Sequence, residues 1–223
     1  FSFAKNGARS ILKAARDGIL EEGRKIDQIS QAILLAQQLE NMMLHASDND
    51  PFPLDNGQQC FNLYSQETFL YKLINKALRE QDQTKISTLG PFCFLLNSYL
   101  FEHVERSRHN VFRGSVYRGT NLSSEMIDLY RKDKGSYRKW LSFTSTSRNR
   151  VLAEIFGNAL FIIDIRQNYY KKYCAEIDVA EASHFPIEEE VLLPAGVSFK
   201  IEDVKYCEDT KKHIISLTTG TPN

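Results

Sequence analysis

Two carboxylates two positions apart, Glu188 and Glu190, directly precede an apolar run at residues 191–193. On an extended strand, alternate side chains share a face, so these carboxylates are expected about 6.6 Å apart at ~3.3 Å per residue. One acid of such a pair can stabilise a cationic transition state while the other positions a nucleophile. The alternative is a solvated charge run, but the apolar strand that follows favours a rigidly held pair.

A cation next to a glycine closes another β-type run, at residues 116–120. The guanidinium of Arg118 can form two parallel hydrogen bonds to a phosphate, and Gly119 allows a ligand to approach the backbone closely. This pair suits a pyrophosphate, although a single arginine is more often part of a surface ion pair.

Three successive hydroxyls, Ser145, Thr146 and Ser147, leave a strand and enter a helix that we predict to start after Ser147 and to end near Gly157. Such hydroxyls commonly cap the helix that follows. Alternatively, a hydroxyl at a strand end hydrogen-bonds a nearby carboxylate and fixes its orientation.

Taken in this order, the three elements resemble the Arg-Ser-Glu family of arginine-specific mono-ADP-ribosyltransferases, over about residues 60–205. Residues 185–194 have the long Phe-Pro-x-Glu-x-Glu-Val-Leu-x-Pro form of the third motif. The resemblance implies cleavage of NAD at its nicotinamide-ribose bond and transfer of ADP-ribose to an exposed arginine of an acceptor protein. NAD would be a substrate, and we expect neither a metal nor a true cofactor.

The resemblance also implies a role for each motif residue. Arg118 would bind the NAD phosphates, and the backbone at Gly119 would contact the nicotinamide amide. Ser145 would orient Glu190, which would hold the ribose 2′-hydroxyl and stabilise the oxocarbenium ion. A glutamate at the position of Glu188 is associated in this family with arginine as the acceptor residue.

Further residues are assigned by the same resemblance. Phe156 would stack on nicotinamide, although a core phenylalanine is an equally good reading of its sequence context. The remaining NAD-binding positions would be Thr120, Thr146 and Ser147. Ser183, His184 and Phe185, together with Glu188, would belong to the loop that recognises the acceptor.

Three other functions remain open at this point. Water can replace arginine, which would make the protein an NAD glycohydrolase. A catalytically silent NAD-binding module would keep the same fold. A transferase acting on nucleic acid has little support, because Lys plus Arg equals Asp plus Glu, at 28 each.

Composition sets the remaining expectations. The longest apolar runs are far shorter than the ~20 residues that a membrane-spanning helix needs, so we expect no span. The four cysteines lack a C-x-x-C pair, which argues against zinc, and free thiols are favoured over disulfides. We expect a monomer. The compartment stays open, with an intracellular location favoured because these residues show no signal or anchor.

The elements that must position these residues form an α+β arrangement, helical to about residue 109 and strand-rich after it. Apolar spacing predicts a helix at residues 31–45, a second one capped by Ser65, and a third one opened by Gly90 and Pro91. A further helix is capped by Ser123. Strands are predicted at residues 111–112, 116–117, 160–165, 190–193, 199–204 and 213–217.

Together with the resemblance, this pattern predicts a helical N-terminal part packed on a mixed two-sheet β core of the ADP-ribosyltransferase type. We assign residues 1–58 to a helical extension of unknown role and residues 59–223 to the catalytic domain.

Overall fold

The computed structural model of this protein describes residues 7–46, 54–106, 113–165, 177–178 and 189–220. The described residues form two compact units, a helical one that ends at Arg106 and a β-rich one. The α+β class predicted from the sequence is confirmed. The predicted boundary between residues 58 and 59 falls inside the helix Leu54–Ser65 of the first unit and stays a prediction.

The helical unit contains five of the described α-helices and a short 3₁₀ turn at Gln83–Lys85. The helices are α1 (Ala8–Lys25), α2 (Ile29–His45), α3 (Leu54–Ser65), α4 (Phe69–Glu80) and α5 (Ile86–Arg106). Helix α1 packs against α2 and α5. A Cβ at Gly18 would lie 1.9 Å from the carbonyl oxygen of Thr88, and one at Gly23 would lie 2.4 Å from the Cβ of Ala32. Both glycines are therefore required for these close helix contacts.

Two predicted helix starts were misplaced. Thr68, not Ser65, caps α4, and its side chain accepts a hydrogen bond from the N–H of Leu70. Ser65 instead ends α3. Helix α5 begins at Ile86 and contains Pro91, because the 3₁₀ turn capped by Asp82 leads directly into it.

A fully buried carboxylate joins α1 to the start of α5. Glu22 is 0% exposed, and it accepts hydrogen bonds from Thr88 Oγ1 at 2.9 Å, from Lys25 Nζ at 3.0 Å and from Lys85 Nζ. Burial by itself raises the pKa of Glu22, but these hydrogen bonds outweigh it, so the pKa lies below its ordinary value. The pairing keeps the buried charge stable.

The β-rich unit is built on one mixed sheet, in which the described strands follow the order β2-β7-β8-β4-β1-β3-β6-β5. The strands are β1 (Gly114–Thr120), β2 (Tyr137–Trp140), β3 (Thr144–Ser147), β4 (Ala159–Ile165), β5 (Ile177–Asp178), β6 (Glu190–Leu193), β7 (Val197–Cys207) and β8 (Lys212–Thr219). Strands β4 and β8 are parallel, and the other pairs are antiparallel. The predicted division into two sheets is not confirmed, because the described strands follow one continuous order.

Two helices accompany this sheet, and both agree with the sequence prediction. Ser123 caps α6 (Ser124–Lys132), and its side chain accepts from the N–H of Met126. Asn149 caps α7 (Arg150–Ile155). The core beneath contains Val116, Phe161, Ile163, Val191, Leu193, Phe199, Ile215 and Leu217. Trp140 and Tyr130 are partly buried and pack against this core, with ring centroids 5.2 and 5.3 Å from that of Phe161.

Most predicted strands are confirmed, but β2 was missed because it is only four residues long, two of them charged and three exposed. Residues 111–112 lie outside the described ranges. Among the described helices, none is long and apolar enough to span a bilayer. Cys60, Cys93 and Cys207 are free thiols, and Cys174 lies outside the described residues.

Candidate active site

Strands β1, β3 and β6 are neighbours in the sheet and bring the three sequence motifs together. Tyr117 lies opposite Ser147, and Ser147 lies opposite Glu190. Directly opposed residues of an antiparallel pair project to the same face. One row of side chains therefore crosses all three strands and ends at Glu190.

The motif serine, Ser145, lies on the same face as Ser147 because it is two residues away along β3. Its direct partner is Leu192, so it is diagonal to Glu190, at about 7 to 8 Å in such pairs. Ser147 lies closer, but its hydroxyl accepts from the N–H of Asn149 at 2.9 Å and donates to the carbonyl oxygen of Asn149 at 3.3 Å, in the turn that leads into α7. That use of the Ser147 hydroxyl favours Ser145 as the group that orients Glu190, and this role stays a prediction.

Glu190 is the first residue of β6 and is 7% exposed. The preceding residue, Glu189, has a φ of +47°, which is a left-handed conformation. The N–H of Arg148 donates to the carbonyl oxygen of Glu189 at 3.1 Å, and the two side chains form an ion pair at 3.6 Å. The strand assumed for residues 188–190 thus begins only at Glu190.

This start of β6 corrects the predicted acidic pair. Strand alternation holds only for extended residues, and Glu189 is not extended. The spacing of about 6.6 Å therefore no longer follows from strand geometry. Glu188 itself lies outside the described residues, as do Ser183, His184 and Phe185, so the predicted acceptor loop stays a prediction.

Arg118 connects the first motif to the second. Its Nη1 donates to the carbonyl oxygen of Ser145 at 2.7 Å. The charge of the guanidinium also affects the pKa of Tyr130, a partly buried residue whose hydroxyl accepts a hydrogen bond from Trp140 Nε1 at 3.2 Å. Burial raises the pKa of Tyr130, and the charge of Arg118 partly opposes that shift. Arg118 therefore stands at the edge of the aromatic core with a fixed backbone partner.

Gly119 is needed for packing within the protein. A Cβ at this position would lie 1.9 Å from the carbonyl oxygen of Ala153 and 2.6 Å from that of Phe156. The sequence predicted that a ligand approaches the backbone of Gly119 closely. In the structure, the end of α7 makes this close approach. Gly157 is equally restricted, with a φ of +64° and a Cβ position 2.1 Å from the carbonyl of Thr120.

A cavity of about 240 Å³ opens between β1, β3 and α7. Six predicted NAD-binding residues line it, namely Arg118, Gly119, Ser145, Thr146, Ser147 and Phe156. Thr120 and Glu190 do not line it: Thr120 pairs with Gly157, and Glu190 lies one strand away, opposite Ser147.

The side chains of two lining residues bear on their predicted roles. Thr146 is buried, and its hydroxyl donates to the carbonyl oxygen of Val191 at 2.6 Å, so it holds β3 to β6. Phe156 lies at the edge of the cavity and is 60% exposed. It is therefore not a core residue, which was the alternative to its stacking role.

Sequence reasoning missed Tyr117, Leu152 and Ile155, which also line the cavity. Two sequence patterns could have indicated them. Tyr117 follows Val116 and so faces the opposite side of the strand, and Leu152 and Ile155 are three residues apart on one helix. Across the part of the chain that the structure describes, no group of three or more acidic, histidine or cysteine side chains is arranged to hold a metal ion. The expectation that no metal takes part stays a prediction.

The family described as NAD:arginine ADP-ribosyltransferase matches residues 29–221. The erythroblast NAD(P)(+)--arginine ADP-ribosyltransferase of Gallus gallus is 26% identical over 151 residues, which cover 64% of this chain and 45% of the chicken protein. The chain spans less than half the length of the curated relatives it matches.

Solved structures with a similar fold belong to proteins of the same class. The ADP-ribosyltransferase HopU1 of Pseudomonas syringae pv. Tomato DC3000 superposes with a TM-score of 0.62 at 25% identity, over 73% of this chain and 76% of that chain. The C3 exoenzyme of Clostridium limosum shares the fold, with a TM-score of 0.58 at 15% identity, over 74% of this chain and 85% of that chain. The fold and the three motifs define an ADP-ribosyltransferase domain. Because the family match runs over most of its length, the chain belongs to the NAD:arginine ADP-ribosyltransferase family.

Proposed function

We propose that this protein is an NAD-dependent arginine mono-ADP-ribosyltransferase. The observation that carries the proposal is that the neighbouring strands β1, β3 and β6 bring the three motifs together. Arg118 and Ser145 line one cavity, and Glu190 lies one strand away. The cavity, at about 240 Å³, is smaller than a typical pocket for a whole ligand of ~300 Å³ or more. We therefore assign it to the nicotinamide end of NAD, with the pyrophosphate near Arg118.

The reaction needs few groups because nicotinamide leaves from a cation. The bond between ribose C1′ and the nicotinamide nitrogen breaks, and its electron pair neutralises the ring, so no general acid is required. The carboxylate of Glu190 stabilises the oxocarbenium ion that forms. A guanidinium nitrogen of the acceptor then bonds to C1′ and loses its proton, and we assign Glu188 to receive that proton.

Labelled NAD incubated with agmatine, a small guanidino compound, tests the proposal. We expect release of nicotinamide together with ADP-ribosylated agmatine. Release without any adduct would make the protein an NAD glycohydrolase. Bound NAD with nicotinamide release no faster than in buffer would indicate a silent NAD-binding module.

Glu188 gives the finer test of acceptor choice. Glu188→Gln should retain NAD hydrolysis and lose transfer to agmatine, because the ribosyl cation still forms but the guanidinium is no longer activated. Equal loss of both activities would show that Glu188 has a different role.

A further inference from the structure

Phe156 is an exposed aromatic side chain in a tightly held backbone. With 60% of its surface exposed, its ring gains little from packing, so its position depends on the main chain. Its N–H donates to the carbonyl oxygen of Ala153 at 3.2 Å, in the last turn of α7. Gly119 lies directly beneath, since any Cβ there would collide with the carbonyl of Phe156.

A lysine from another strand completes this support. Lys212, the first residue of β8, donates from Nζ to the carbonyl oxygen of Phe156 at 3.3 Å and to that of Gly157. The following residue, His213, donates its backbone N–H to the carbonyl oxygen of Asn158 at 2.9 Å. Phe156 is the C-cap of α7 and Gly157 follows it, and a lysine at a helix C-terminus stabilises both the geometry and the partial negative charge of the carbonyls there.

We propose that Lys212 is a positioning residue for the nicotinamide end of the site. It fixes residues 156–157, and through them the aromatic edge of the cavity, without touching NAD. This inference rests on the proposed function, and it adds to that function a residue from β8 that no motif includes. Since both transfer and hydrolysis begin with the same bound nicotinamide, Lys212 should support both reactions equally.

The test compares Lys212→Met with a matched neighbour. Methionine keeps most of the aliphatic stem and removes the charged donor. Lys211 is 71% exposed at its side chain and forms an ion pair with Glu208 at 2.9 Å, so Lys211→Met removes an equal charge from the same turn. We expect Lys212→Met to weaken NAD binding, measured by calorimetry, about tenfold, the effect of one charge-assisted hydrogen bond. Lys211→Met should bind NAD as the wild type does.

Further readouts separate positioning from general damage. The KM for NAD should rise with little change in kcat, and Lys212→Arg should restore most of the affinity because arginine also donates to carbonyl oxygens. Amide hydrogen exchange over residues 150–158 should be faster in Lys212→Met than in Lys211→Met, whatever the activity of either variant. This measurement stays decisive if the methionine variant is less stable overall, because residues of the helical unit serve as an internal reference.

The outcomes are distinct. Equal NAD affinity and equal exchange in the two methionine variants would overturn the role of Lys212 and leave the proposed function intact. Wild-type protein that neither binds NAD nor releases nicotinamide would overturn both.

Discussion

Each unit of this protein contains a buried glutamate, and the two have opposite surroundings. Glu22 in the helical unit is 0% exposed and binds Lys25, Lys85 and Thr88. Glu190 in the β-rich unit is 7% exposed and begins a strand opposite Ser147, one strand away from a cavity. The first carboxylate is held by hydrogen bonds from three side chains of its own unit, whereas the second lies one strand away from a cavity.

The comparison shows that burial of an acid does not by itself identify an active site. A buried charge is tolerated when partners neutralise it, and removing one member of such a group destabilises the fold. A functional carboxylate must reach a ligand, and we propose that Glu190 does so beside Ser145 and Ser147 on β3, which line the cavity. We therefore expect the two glutamates to differ in what their loss removes, activity in one case and stability in the other.

The largest expected effect is on catalysis. Glu190→Gln should reduce nicotinamide release by a factor on the order of 10² to 10³, equivalent to ~3 to 4 kcal/mol, because the charge that stabilises the oxocarbenium ion is lost. Initial rates with labelled NAD measure it. Glu189→Gln, a partly exposed neighbour paired with Arg148, is the matched control and should stay within about threefold of the wild type. Similar losses in both variants would contradict the assignment.

The complementary change is in the helical unit. Glu22→Gln should lower the free energy of unfolding by about 3 kcal/mol, because Lys85 loses its buried counter-charge. Urea denaturation measures the loss. Glu21→Gln changes an exposed carboxylate in the same turn, which pairs with Lys25 at 2.6 Å, and should cost less than about 1 kcal/mol. If Glu22→Gln were as mild as Glu21→Gln, the buried network would not stabilise the protein.

A smaller effect is expected at Arg118. Arg118→Lys should weaken NAD binding about tenfold, because lysine cannot hold the Ser145 carbonyl and form a forked phosphate contact at once. Calorimetric titration of NAD would measure this. Unchanged affinity would place the pyrophosphate away from Arg118.

The pH dependence of stability gives the smallest signal. The pKa of Glu22 is lower in the folded state than in the unfolded chain, so its contribution is complete above the unfolded pKa, about 4.5. It is lost as the pH falls through the lower, folded value. The difference in unfolding free energy between wild type and Glu22→Gln should therefore shrink below about pH 4.5, by at most ~1.4 kcal/mol per pH unit. A difference that is constant with pH would contradict this assignment.

The motif residues were predictable because their chemistry is distinctive. A phosphate-binding arginine beside a glycine, a hydroxyl triplet before a helix cap, and an acid before an apolar strand are each readable from the sequence. Their order along the chain then matches the order in which β1, β3 and β6 meet in the sheet.

The remaining features depend on contacts between distant residues, which no local pattern reports. Glu22 follows Glu21 and resembles a solvated residue until Lys85 and Thr88 are placed beside it. Gly119 was assigned to ligand approach, yet its neighbour is α7. Glu189 was expected to be extended, and nothing in a run of three glutamates predicts a positive φ at the middle one.

In the proposed complex, the Phe156 edge of the cavity contacts the nicotinamide, and Arg118 binds the pyrophosphate of the same NAD molecule. Crystals of the Glu190→Gln variant soaked with NAD test it directly, because the dinucleotide should remain uncleaved. We expect the nicotinamide ring to lie against Phe156 and the pyrophosphate to lie within hydrogen-bond distance of the Arg118 guanidinium. A dinucleotide bound elsewhere, or bound here with its pyrophosphate far from Arg118, would contradict it.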